Sequence, residues 1–174
     1  MHEKFTRWLK GMLEVKDKEV FKDVMIFLIT LTLMLTFFQP IYVVSDSMFI
    51  TLATGDRCVT RRTWMGYTPK RADIVCFKED GEIMIKRVIG LPGETISFKD
   101  GWVYINGEQI DEPYLSIPGY TYSRIESYTI PEDCVFVMGD NRTNSRDSRF
   151  WDDPYLQLKD ITSKYLFTFW KVKR

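Results

Sequence analysis

From Val24 to Phe38 the chain reads VMIFLITLTLMLTFF without a charged residue, and after Gln39 and Pro40 the apolar run resumes as Ile41, Tyr42, Val43 and Val44. No other feature constrains the fold as strongly. At about 1.5 Å per helical residue the span Val24–Val44 reaches roughly 30 Å, a bilayer's hydrocarbon thickness, if helix and exit strand share the crossing. Lys4, Arg7, Lys10, Lys16, Lys18 and Lys22 precede it, and the first basic residue after it is Arg57. The positive-inside rule then puts the N-terminus in the cytoplasm and the C-terminal part outside. A buried core helix would carry a polar face, and this stretch offers only threonines. A cleavable secretory signal could be cut around Ser45 and Ser47, but the segment ahead of the run is too long and too acidic for one. The predicted organisation is a cytoplasmic segment over 1–23, a single transmembrane anchor over 24–40 and an extracytoplasmic domain over 41–174.

With 174 residues the chain has room for an anchor and one domain of ordinary size. Its 24 basic and 24 acidic residues cancel, which disfavours a nucleic-acid partner. The only histidine, His2, lies ahead of the apolar run, so Ser-His-Asp and Cys-His machinery and a His-rich zinc site are excluded. Cys58, Cys76 and Cys134 show no C-x-x-C spacing and read as core residues, with pairing of two of them left open. No metal or cofactor is called for.

Beyond Ser45 short β-branched and aromatic runs alternate with turn signals, which predicts a mainly β, antiparallel sheet or barrel-like domain. The expected strands are 57–62, 73–78, 83–89, 95–99, 102–105, 128–130, 134–138 and 165–170. Asp100-Gly101 and Asn106-Gly107 are hairpin turns by composition. Residues 112–127, rich in proline, glycine and tyrosine, read as an irregular excursion, and 94–135 as an inserted cap region. A short helical turn is expected near Pro154.

Three polar clusters carry the chemistry: Ser45-Asp46-Ser47-Met48 after the apolar run, Ile85-Lys86-Arg87-Val88 in a strand, and the run Gly139–Arg149. Without a histidine, lysine is the recognised base for a serine nucleophile, and it must be neutral to act. Burial among apolar groups can lower a lysine pKa by the roughly two to three units required. Strand alternation puts Lys86 on one face with Met84 and Val88, and Ile83, Ile85, Arg87 and Ile89 on the other. Taken singly, Lys86 would read as a surface lysine and Ser47 as a turn residue. A calcium loop at 139–149 fits poorly, because Arg142 and Arg146 interrupt its would-be ligands. A bracing role fits better: Asp147 and Arg149 can pair, with Asp140 and Arg142 in support, and Ser145 can orient a neighbouring amine.

The succession S-x-S-M, K-R-V-I-G-L-P-G-E and G-D-N-R-x-N-S-x-D-S-R-x-W after one N-terminal apolar segment resembles the bacterial type I signal peptidases, membrane-anchored serine endopeptidases that cut signal peptides from exported preproteins. The resemblance spans essentially the whole chain and implies roles position by position. Ser47 resembles the nucleophile and Lys86 the general base. Ser45, with the Ser47 amide, resembles the oxyanion hole. Ser145 resembles the serine that hydrogen-bonds the lysine, and Asp147 and Arg149 a structural pair. Substrate would pair along the exit strand Ile41–Val44, with small side chains one and three residues before the cut in apolar pockets formed by Ile41, Val43, Val44, Leu52 and Ile85. The implied partners are signal-peptide-bearing preproteins and the lipid bilayer. By its residues, the Trp64–Tyr67 loop with its flanking Arg61, Arg62, Lys70 and Arg71 reads either as a segment dipping into the bilayer interface or as an exposed turn with core-packing aromatics. The family continues S-M-x-P-T where this chain has Ile50 in place of proline. That departure is the one support for a rival class, a non-catalytic anchored relative that binds chains without cutting them. Intact Ser47, Lys86 and Ser145 speak against it.

Overall fold

The structure, a computed structural model, describes residues 2–64, 66–79 and 81–173; the side chains of residues 2, 9, 10 and 12–16 lie outside that description. The chain divides into two units, Met1–Phe38 and Gln39–Arg174.

The first unit is a helix, α1 (His2–Phe37). Its stretch Asp17–Phe37 has 21 residues and a mean hydropathy of 2.0, enough by length and composition to cross a membrane. The threonines within it leave no hydroxyl to be solvated by lipid. Thr30, Thr32 and Thr36 each donate to the carbonyl four residues back, at 2.8, 2.7 and 2.7 Å. The helix begins well before Val24 and stops at Phe37. Pro40 supplies no N–H and pushes Gln39 out of the α region, so Phe38 already starts a strand.

The second unit is antiparallel β, as expected. Its strands are β1 (Phe38–Tyr42), β2 (Arg57–Arg62), β3 (Ile74–Glu79), β4 (Glu82–Gly90), β5 (Thr95–Lys99), β6 (Trp102–Ile105), β7 (Glu108–Gln109), β8 (Ser127–Thr129), β9 (Cys134–Met138), β10 (Leu156–Gln157) and β11 (Ile161–Trp170). They form a seven-stranded sheet in the order β1-β2-β11-β3-β4-β9-β10 and a four-stranded sheet β7-β6-β5-β8. The region expected as a cap thus carries a sheet of its own. The expected helical turn lies past Pro154, as a 3-10 turn over Leu158–Asp160. β11 starts at Ile161 rather than Tyr165, its first half pairing with Val75–Phe77 of β3.

β3 shows how the large sheet is filled. Ile74, Val75, Cys76 and Phe77 are all buried, so a period of two feeds both faces. Ile74 and Cys76 join Ile41, Val43, Met48, Leu52 and Cys58 on one side. Val75 and Phe77 join Val88, Val135, Val137, Leu156 and Ile161 on the other. A third cluster, including Ile89, Ile96, Val103, Tyr128, Phe136 and Met138, joins the two sheets. All three cysteines are free and buried, so the disulfide left open by the sequence is not formed.

The turns predicted from composition have the geometry they require. Asp100 and Gly101 have φ of 53° and 81°, and Asn106 and Gly107 have 50° and 85°. Gly101 also permits a close approach, because a Cβ there would sit 1.9 Å from the Gly119 carbonyl oxygen. The 112–127 excursion docks at that point, with the Thr121 amide donating to the Gly101 carbonyl at 2.9 Å.

Candidate active site

Ser47 sits in the turn that follows β1, and local bonds determine where it points. Met48 and Leu52 are buried and anchor the turn, and the Leu52 amide donates to the Met48 carbonyl at 2.8 Å. Between them the Phe49–Ile50 peptide is cis. Asp46 ties the start of the turn to its end, accepting from the Thr54 amide at 3.1 Å and the Thr54 hydroxyl at 2.8 Å. Those two donors hold the Asp46 carboxyl below the usual carboxylate range.

Lys86 enters from β4, with Val75 as its partner across the ladder to β3. Its face is the one predicted, shared with Met84 and Val88. The side chain is 2% exposed and Nζ lies 2.7 Å from the Ser47 hydroxyl oxygen, itself on a residue 9% exposed. Burial pushes the lysine pKa down from its ordinary value of 10.5. Asp147, Glu79 and Asp140 oppose that shift, and Arg149 assists it. Among the described residues no carboxylate stands within ion-pair distance of Nζ, and two of the three that act on it are engaged by arginines. Asp147 takes both Nε and Nη2 of Arg149 at 2.8 Å and the Gly139 amide at 2.9 Å. Asp140 takes Arg87 at 2.8 and 2.6 Å.

The end of β9 closes the site from the other side. A Cβ on Gly139 would lie 2.4 Å from the Ser47 carbonyl oxygen and 2.3 Å from the Ser145 hydroxyl, so only glycine fits. The Asn141 amide donates to the Ser47 carbonyl at 3.0 Å, and its side chain to the Asp46 carbonyl at 3.1 Å. Arg142 reaches into the excursion, donating to both carboxylate oxygens of Glu112, to the Thr121 hydroxyl at 2.6 Å and to the Gly139 carbonyl at 3.1 Å.

The structure therefore brings Ser45, Ser47, Lys86, Asp140, Arg142, Ser145, Asp147 and Arg149 into one neighbourhood, with two departures. The Ser145 hydroxyl forms no bond to Lys86; it is buried against Gly139 with no hydrogen-bond partner among the described residues. Leu52 is not among the residues lining the cleft at Ser47: it is fully buried in the core under the Ser47 turn, where its packing holds that turn down. The other expected contacts, Ile41, Val43, Val44 and Ile85, do line a cleft of about 700 Å³ that also contains Ser45, Ser47 and Lys86. Ser45 stands beside Ser47, their hydroxyl oxygens 3.4 Å apart. Met65 of the Trp64–Tyr67 loop lies outside the described residues; Trp64 is exposed, whereas Tyr67 turns inward to donate to Asp73 at 2.7 Å.

Sequence reasoning missed Gly139, Asn141, Glu112 and Arg87 as parts of the site. Gly139 heads the third motif and had a detectable signal in its position between a buried strand and a polar run. Glu112 had none, since nothing local joins it to Arg142.

A buried hydroxyl against a buried amine, in a cleft and without imidazole, is the arrangement of serine hydrolases that use lysine as base. Comparison with known proteins agrees. The family described as "Signal peptidase, peptidase S26" matches residues 18–170. A probable signal peptidase I-1 from Synechocystis is 38% identical over 160 residues, covering 84% of this chain and 79% of that one. The signal peptidase I of Bacillus caldolyticus is 35% identical over 160 residues, covering 82% and 85%. The crystal structure of a signal peptidase I from Enterococcus faecalis superposes with a TM-score of 0.50 at 34% identity, covering 58% of this chain and 98% of that one. The chain belongs to the signal peptidase family, peptidase S26, and is a serine endopeptidase.

Proposed function

We propose that this protein removes signal peptides from exported preproteins, with Ser47 as nucleophile and Lys86 as general base. The observation that carries the assignment is the 2.7 Å approach of a desolvated amine to the Ser47 hydroxyl. Once neutral, the Lys86 lone pair accepts the Ser47 proton as the hydroxyl oxygen attacks the scissile carbonyl. The Ser47 amide and the Ser45 hydroxyl donate to the oxyanion. Collapse expels the amine of the mature chain, which takes the proton from Lys86. Water then attacks the acyl-enzyme with Lys86 again as base, releasing the signal peptide. Asp140, Arg142, Asp147 and Arg149 hold the surrounding walls, and Ser145 packs beside them.

The substrate lies extended in the cleft against β1, an edge strand of the large sheet, and pairs with its backbone. Ile41, Val43, Val44 and Ile85 present apolar surface to its small side chains. The anchor crosses the bilayer once, with the basic N-terminal segment in the cytoplasm and residues 41–174 outside, the second sheet forming a cap. The nucleophile then meets preproteins tethered in the same membrane.

Purified full-length protein in detergent should cut a precursor after an A-x-A site, and Ser47→Ala should abolish cutting while the domain keeps its fold by circular dichroism. Undiminished cleavage by that variant would remove Ser47 from the mechanism.

A further inference from the structure

We infer that Arg146 reads the first residues after the cut and gives the enzyme a preference for preproteins whose mature N-terminus is acidic; this rests on the Ser47–Lys86 reading above. The run from Gly139 to Arg149 holds three arginines that the structure treats differently. Arg142 and Arg149 are 5% and 2% exposed and each grips a carboxylate. Arg146 is exposed and has neither ion pair nor hydrogen bond among the described residues. It lines the same cleft as Ser47 and Lys86, next to Asn144. Its neighbours on both sides, Ser145 and Asp147, are drawn toward Gly139, so the loop that carries it is pinned beside the nucleophile.

Besides Lys86, three charged side chains line the cleft: Glu82, Asp46, whose carboxylate accepts from Thr54, and Arg146. Glu82, exposed, lines it at the start of β4, four residues or about 13 Å of strand from Lys86. Gln39 and Pro40 line it too, where β1 follows the apolar helix, and Ser47 stands after β1. A preprotein is tethered by the segment before its cut, as β1 is tethered by α1. That segment therefore lies along β1, and the residues after the cut leave past Asn144 and Arg146. An unpaired guanidinium there attracts a carboxylate and repels an ammonium.

The test uses the full-length protein in detergent and a set of precursors sharing one A-x-A signal region, with Glu, Ala or Lys at the first two positions after the cut. At low salt kcat/KM should favour Glu over Lys by roughly three- to tenfold, the range for rim charges, and added salt should shrink the ratio. Arg146→Ala should bring the ratio near one and Arg146→Glu should invert it. Because each ratio is internal to one variant, a general change in rate cancels. The same ratio in wild type and Arg146→Glu overturns the inference while leaving the Ser47–Lys86 reading standing. A wild type that cuts none of the precursors overturns both.

Discussion

Lys86 and Arg87 are neighbours on β4, both cationic by nature and both buried, yet the fold treats them in opposite ways. Arg87 is given a bidentate carboxylate from Asp140, the Ala72 carbonyl at 2.8 Å and the face of Tyr114 at 4.0 Å. Lys86 is given a hydroxyl, and two of the three carboxylates that act on it, Asp140 and Asp147, are taken up by Arg87 and Arg149. A guanidinium cannot shed its proton, so its burial demands a counter-ion. An amine can, and a site that withholds the counter-ion drives it to the neutral form that works as a base. Arg87 and Arg149 thus act on Lys86 by pairing Asp140 and Asp147, two of the acids that favour its charged form.

Lys86→Met should break the contrast most severely. Activity should fall on the order of 10⁴-fold or more, as when a catalytic base is removed, while the melting temperature stays level or rises, because apolar volume replaces an unpaired buried amine. Arg87→Met should do the reverse in kind, leaving Asp140 buried without its counter-ion and costing about 3–5 kcal/mol in chemical denaturation. If Arg87→Met is thermally silent and Lys86→Met unfolds the domain, the two roles have been exchanged. Gly139→Ala should lower kcat about 10²-fold, since the methyl would push on the Ser47 carbonyl and the Ser145 hydroxyl. Thr51→Val, which removes a hydrogen bond to Asp140, should cost only about 1 kcal/mol and leave the pH profile unmoved.

Stability should carry the same mark. The folded-state pKa of Lys86 lies below its unfolded value of about 10.5, so between the two the unfolded chain binds more protons. The penalty for the buried charge is full below the folded pKa and disappears as pH rises to the unfolded one. Denaturation midpoints should therefore rise with pH across that window in wild type, and this part of the slope should be missing in Lys86→Met.

The parts of this arrangement that were legible in the sequence are those set by local pattern. The period of two placed Lys86 on its face, Asp-Gly and Asn-Gly located two turns, and seven of the eight expected strands formed within a residue of their expected ends. What stayed hidden depends on contacts distant along the chain. Strand alternation put Arg87 on a face with Ile83, Ile85 and Ile89, and nothing local announced that Asp140 would meet it from 53 residues away. Leu52 looked like a pocket wall, although its burial beneath the Ser47 turn follows from packing against Met48 and β3 that no local rule encodes. The helix ends at Phe37 because Pro40 acts on the residue before it, which hydropathy alone ignores.

The most direct test is the pH dependence of kcat/KM for a single precursor, measured with full-length protein. The account predicts a rate that rises with pH and levels off, with one apparent pKa well below 10.5 that belongs to Lys86. A rate still climbing toward the ordinary lysine value, or one indifferent to pH, would contradict it.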